Sequence, residues 1–411
     1  MRRRSPLYAL YVADTISLAG NAVAQLAIPW YVLTTTGSAA LTGLVVFFNF
    51  LPIVLAAFFG GVVVDRLGFR TTSVVADLAS AAAVAAIPLL HTTVGIELWQ
   101  LMALVFVGAL LDAPGATARQ ALFPDVVELA GSRMERATGI RGAIQQGSVL
   151  VGAPIGGVLV AELGATTALW LDAASFLVSA TLLASFVPRP GQRADAETSG
   201  RFLEELAQGM RFTWDQRLVR ALVLTILLTN LLEAPFPVVM PVFARQEYGS
   251  ATDLGLMYGV FGGAALVGAL AFSAIGHRLP RRRTFVYCFA VVPLGYLTLA
   301  TLPSLPVALV ALAVFGLAAG PINPLLFTVM TEIVPAELRG RVFGAVRAGA
   351  WAAIPVGVLL GGVAVAAFGV AATFLAIGVL LAAVVAYGFV NPAFREMDRR
   401  PYASQSTEAD A

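Results

Sequence analysis

Apolar and polar positions alternate along this chain on the scale of a membrane crossing rather than of a soluble helix or strand. Predominantly apolar runs cover 7–33, 41–64, 73–90, 98–122, 143–161, 166–187, 219–244, 254–275, 284–302, 307–330, 345–368 and 370–390. Each is near the ~20 residues that a helix needs to cross roughly 30 Å of hydrocarbon. The pattern predicts an all-α membrane protein with twelve transmembrane helices.

The polar segments between the runs orient it. Of the 26 basic residues, all of them arginine, every one but Arg245 falls in alternate segments: Arg2 to Arg4, Asp65 to Arg70, Arg119 to Arg141, Arg189 to Arg220, Arg278 to Arg283, Arg339 to Arg347 and Arg395 to Arg400. The positive-inside rule makes those segments, and with them both termini, cytoplasmic. Glu97, Glu162 and Asp253 then face outward. The first run is about twice the length of a secretory apolar core, so it is read as a retained helix rather than a cleaved signal.

Composition narrows the chemistry. With 59% hydrophobic and 12% charged residues over 411 positions, the chain is a polytopic membrane protein, and its net charge of +2 gives no electrostatic footprint for nucleic acid. The absence of lysine rules out a Gly-x-x-x-x-Gly-Lys phosphate loop and a lysine Schiff base. The single cysteine, Cys288, cannot form an internal disulfide. His91 and His277 fall in loops on opposite faces, so no metal or catalytic pair is expected.

The chain also repeats itself. Gly152, Gly156, Gly157, Val158 and Gly164 recur 205 positions later as Gly357, Gly361, Gly362, Val363 and Gly369. The fifth and eleventh helices therefore occupy equivalent places in two six-helix bundles, 1–187 and 219–390, joined by a linker at 188–218 and followed by a polar cytoplasmic tail at 391–411. Glycines four apart let helix backbones approach closely in lipid; Pro154 sits among them. In the linker, Phe202, Leu203, Leu206 and Met210 share one helical face, which predicts either an amphipathic helix on the inner leaflet or a solvated connector.

The loop after the second run reads Gly61-Val62-Val63-Val64-Asp65-Arg66-Leu67-Gly68-Phe69-Arg70. It resembles the Gly-x-x-x-Asp-Arg-x-Gly-Arg-Lys signature of the major facilitator superfamily, departing from it at Phe69 and Arg70. Ala118-Arg119-Gln120-Ala121-Leu122-Phe123-Pro124-Asp125 and Leu338-Arg339-Gly340-Arg341-Val342-Phe343 resemble the branch of bacterial macrolide-efflux and siderophore-exporting permeases, also called transmembrane secretion effectors. The resemblance implies two pseudo-symmetric bundles working by alternating access. It further implies a cytoplasmic gate of Gly61, Asp65, Arg66, Gly68 and Arg70, in which Asp65 latches onto the start of the eleventh helix near Arg339, Gly340 and Arg341. Gly152-Ala153-Pro154-Ile155-Gly156-Gly157 is similar to an antiporter signature with its proline displaced by one position.

Ionisable groups inside the bilayer cost roughly 2.5 to 3.5 kcal/mol each and ask for a role. Glu233 lies deepest in its helix, one turn after Asn230 and beside Pro235, Pro237 and Pro241, which interrupt the backbone. Asp14, Asn21 and Gln25 form one stripe on the first helix, which the duplication makes the counterpart of the seventh, so both stripes are expected to face a central cavity. Asn323, beside Pro324, is a further cavity candidate, while Asp112 and Arg119 read as a charge network reaching toward Asp77. Asp172 is expected to be satisfied near the external end of the sixth helix.

With the resemblance, these residues imply a secondary transporter that exports a small, largely hydrophobic compound, drug-, macrolide- or siderophore-like, by proton antiport, with Glu233 or Asp14 exchanging protons. It would work as a monomer in the bacterial cytoplasmic membrane, with the lipid bilayer and the small molecule as its partners and the proton gradient in place of any cofactor or metal. Uptake or lipid flipping on the same fold is an alternative, and a receptor or assembly factor is the non-transport alternative. An enzyme lacks a constellation of groups to perform chemistry.

Overall fold

A computed structural model describes residues 4–188 and 202–398, with the side chains of all of these except 57–66, 149, 202–206 and 336. Its helices are α1 (Ser5–Thr36), α2 (Ala39–Leu67), α3 (Phe69–Thr93), α4 (Leu98–Ala130), α5 (Met134–Leu163), α6 (Ala165–Phe186), α7 (Phe202–Asp215), α8 (Arg217–Glu233), α9 (Phe236–Glu247), α10 (Ala251–Ile275), α11 (Arg281–Leu299), α12 (Leu305–Ala319), α13 (Ile322–Ile333) and α14 (Arg339–Val390). No strand occurs among the described residues.

Ten spans are long and apolar enough to cross a membrane. One of them, α14, is two crossings broken at Gly369, where φ is 83°, and the arginine-led α11 supplies the remaining one. The twelve expected helices are therefore present. Two of them are broken: α8 and α9 make one span interrupted at Ala234 and Pro235, and α12 and α13 make another, interrupted at Gly320 and Pro321. Proline lacks the N–H that would continue the ladder, so the break falls where the sequence places it.

Several helices run further than their apolar cores. The arginine-rich segment 119–141 is almost wholly helical, because α4 continues to Ala130 and α5 begins at Met134, with the turn confined to 131–133 and led by Gly131 at φ 62°. Arginine and glutamate are good helix formers, so the ladder propagates into the aqueous phase until a left-handed glycine stops it.

The repeat governs packing. A Cβ on Gly152 would lie 2.8 Å from Ala22 Cβ on the first membrane helix, and one on Gly357 would lie 2.6 Å from Ala234 Cβ at the break of the seventh. On the other face, a Cβ on Gly157 would meet Gly255 Cα at 2.8 Å on α10, and one on Gly362 would meet Gly43 Cα at the same distance on α2. The fifth and eleventh membrane helices, α5 and the part of α14 before Gly369, thus make the same two glycine-mediated contacts with repeat-related partners. Gly156 packs on Val23, Pro154 lies against Gly259, and Gly361 is buried.

Contacts group the chain into two compact units: Met1–Ala196 with Phe236–Gly259 and Val358–Ala366, and Glu197–Pro235 with Val260–Gly357 and Ala367–Ala411. In the first, α1 packs on α5 and α6, α3 on α4 and α6, and α2 on α4. In the second, a core of Leu218, Leu222, Phe285, Phe289, Val329 and Phe394 joins α8, α11, α13 and the turn at 392–398.

Candidate functional site

The first unit holds a charge cluster in its interior. Arg119, 6% exposed, donates from Nη1 to Asp77 Oδ1 at 3.0 Å and Oδ2 at 3.3 Å, and Asp77 is fully buried. Ser179 Oγ on α6 donates to Asp77 Oδ2 at 2.6 Å. The same guanidinium lies 3.6 Å from Asp112 and 3.8 Å from Asp14, whose other oxygen is 3.4 Å from Arg141 Nε on α5. Two guanidiniums therefore serve three carboxylates drawn from α1, α3 and α4. Arg141 also rests over the Phe123 ring at 4.8 Å, as a partly desolvated guanidinium favours.

This arrangement divides the polar stripe of α1. Asp14 is buried in the cluster, Asn21 is half-buried, and Gln25 is exposed. Spacing of seven and eleven residues set a common helical face; α4 and α5 cover only its lower end. Asp112 and Arg119 meet Asp77 as the charge-network reading expected, and Asp14 joins them.

Glu233 is placed differently. It ends α8 at the break in the seventh membrane helix, half-buried, and no cation approaches within 4 Å of its carboxylate among the described residues. Asn230, half-buried one turn earlier, accepts the capping N–H of Ala234 on its carbonyl at 2.9 Å. Its own side chain is left to other partners. At the corresponding break in the tenth helix Asn323 is exposed in the first turn of α13.

The arginine-rich loops carry a repeat-related device. Arg70, at the start of α3, donates to the carbonyls of Leu183, at 3.3 Å, and Ala184 in the last turn of α6. Arg282, at the start of α11, donates to the carbonyl of Phe389 in the last turn of α14, at 3.2 Å. Each arginine adds a donor to carbonyls in the last turn of a helix and sits at the negative end of its dipole. Gly68 precedes Arg70 with φ 77°, a conformation that needs glycine. The side chains of Asp65 and Arg66, with Gly61, lie outside the described ones. In the second bundle Arg281 pairs with Glu332 through both nitrogens, one of them at 2.8 Å.

Arg341 has a partner that local sequence did not suggest. Its Nη1 donates to Gln208 Oε1 on α7 at 2.7 Å, and a Cβ on the adjacent Gly209 would fall 2.7 Å from the Arg341 carbonyl carbon. Arg339 turns back onto the Val334 carbonyl at 3.1 Å, and Gly340 has open space beside it. The linker helix docks through Gly209, Phe212 and Thr213, while Met210 is exposed and residues 202–206 have no described side chains. Arg245, the exception to the arginine asymmetry, donates to the Leu33 carbonyl in the last turn of α1.

Comparison with known proteins gives these features a family. The model of transmembrane secretion effectors matches residues 3–409. The multidrug efflux pump Tap of Mycobacterium tuberculosis is 33% identical over 404 residues, covering 97% of this chain and 96% of its own length. Macrolide efflux protein A of Streptococcus pyogenes is 24% identical over 399 residues, covering 95% and 96%. Among solved structures, the nucleoside transporter NupG superposes with a TM-score of 0.77 at 12% identity, over 96% of this chain and 99% of its own. A bacterial homologue of the iron transporter ferroportin, in an inward-facing state, gives 0.71 at 17% identity, over 96% and 99%. The chain belongs to the transmembrane secretion effector family of major facilitator transporters, and it is a multi-pass membrane transporter rather than an enzyme.

Proposed function

We propose that this transporter exports small, largely hydrophobic compounds from the cytoplasm in exchange for protons, by alternating access of its two bundles. The names of its relatives, a multidrug efflux pump and a macrolide efflux protein, support export and the substrate class. The observation that carries the coupling is Glu233, an acidic side chain at the break of a membrane helix with no cation beside it among the described residues. Asp14 is already neutralised by two guanidiniums, so it serves the reading less well.

In this reading Glu233 takes a proton while open to the outside and releases it to the cytoplasm. Its two protonation states favour different arrangements of the bundles, which is what a coupled exchanger requires. The arginine asymmetry supports a cytoplasmic location for both termini and insertion in the bacterial plasma membrane. The transporter works as a monomer, with the proton gradient as its energy source.

The test is accumulation of a panel of macrolides and dyes in cells with and without the protein. Lower accumulation with the protein, abolished by a protonophore, is the expected result. Accumulation that rises with the protein would reverse the direction, and indifference to the protonophore would remove proton coupling.

A further inference from the structure

Inside the first bundle lies an acidic side chain that the charge cluster does not reach. Asp172 on α6 is 1% exposed. Its Oδ1 accepts from Ser175 Oγ at 3.4 Å, a weak bond from a neutral donor. No guanidinium comes within 4 Å of it among the described residues. The wall opposite is the α1 backbone: a Cβ on Gly20 would lie 2.5 Å from Asp172 Oδ1. No larger side chain has room at position 20 to reach the carboxyl.

The charged groups of the surrounding elements are accounted for. Asp14 on α1 is held by Arg119 and by Arg141, the α5 cation that reaches the cluster. Asp77 on α3 is held by Arg119 on α4 and by Ser179. An ionised carboxyl buried with one weak neutral donor and no cation beside it would bear its desolvation cost uncompensated.

Hydroxyls continue from this carboxyl toward the cluster. Asp172, Ser175 and Ser179 stand at i, i+3 and i+7 on α6, hence on one face, and Ser179 is bonded to Asp77. On α1, Ser17 lies one turn before Gly20 with its Oγ buried and without a hydrogen-bond partner. At the far end, Arg141 and Asp112 retain 18% and 28% side-chain exposure.

We propose that Asp172 is a second proton-binding site, separate from Glu233, which exchanges its proton through the Ser175 and Ser179 hydroxyls and the Arg119 cluster. The proton leaves the neutral acid by rotation of the Ser175 and Ser179 hydroxyls and is taken by the Asp77 carboxylate to which Ser179 is bonded, leaving Asp172 ionised. That this exchange contributes to transport rests on the proton-coupled reading above; that the site binds a proton does not.

Infrared difference spectroscopy of the full chain in liposomes separates the two. At neutral pH the wild type should show a carboxylic acid C=O band that shifts on transfer to heavy water. That band should vanish in Asp172→Asn and survive in Glu233→Gln. Ser175→Ala should move it to higher frequency, because the hydrogen bond accepted by the carbonyl oxygen is gone; this readout holds even if Asp172→Asn folds poorly. Ser179→Ala should slow the heavy-water shift at least several-fold. A wild type without such a band, or a band unchanged in both Asp172→Asn and Ser175→Ala, overturns the site, and a band that never shifts in heavy water overturns the exchange. These outcomes are independent of protonophore sensitivity, whose failure would remove the coupled reading alone.

Discussion

Arg119 on α4 grips Asp77 on α3 at 3.0 Å, and both side chains are withdrawn from solvent. A buried pair of this kind contributes little net stability against an apolar substitute, yet it is costly to break from one side, since the survivor keeps a charge in a poor solvent. Here the guanidinium also faces Asp14 and Asp112. Arg119→Leu should therefore destabilise by about 3–5 kcal/mol, and Asp77→Asn by distinctly less, since Asn keeps a polar partner for Ser179. Thermal unfolding of the purified variants followed by tryptophan fluorescence checks the order. Equal losses would mean that Arg119 acts on Asp77 alone.

The paired contacts of Arg70 and Arg282 with helix ends predict matched, modest effects. Arg70→Gln and Arg282→Gln should each cost up to about 1 kcal/mol, the scale of a cation at a helix C-terminus. The same unfolding measurement at low and high salt tests it. A loss in only one variant would show that the two bundles do not use the device equivalently.

How legible the molecule was depends on the kind of signal. Crossing number and duplication follow from hydrophobicity and glycine spacing, which are written locally; Gly164 and Gly369 even share a left-handed turn, at φ 84° and 83°. Helix ends were less legible, because α4 and α5 continue through arginine-rich sequence that resembles a loop in composition. Side-chain partners were least so. A seven-residue spacing put Asp14 and Asn21 on one face, but which neighbour covers that face is a tertiary fact, and only Asp14 is closed over by Arg119 and Arg141. The Gln208 and Arg341 contact joins residues 133 apart and leaves no local trace. Asp172 looked like any acid near a helix end until α1 proved to pass it as bare backbone at Gly20.

The linker contact can be trapped. In a Cys288→Ser background, Gln208→Cys with Arg341→Cys should form a disulfide on mild oxidation, seen as loss of thiol reactivity. Asp65→Asn, in the residue that the family signature makes the latch, should impair transport at unchanged membrane levels, because a latch biases two states of similar energy. Normal transport by Asp65→Asn would leave the start of α14 to the linker helix alone.

Orientation is tested by labelling intact cells with a membrane-impermeant thiol reagent. Cysteines at 97, 162 and 253 should react, and one at 201 should not. Reaction at 201 would invert the topology.

The central claim is that Glu233 couples protons to export, and everted membrane vesicles test it most directly. With an imposed pH gradient, wild-type vesicles should accumulate erythromycin, and a protonophore should abolish the accumulation. Glu233→Gln copies the protonated side chain without added bulk, so it should bind erythromycin with little change in affinity and fail to accumulate it. Wild-type accumulation by Glu233→Gln, still sensitive to the protonophore, would contradict the claim and return the coupling to another carboxyl.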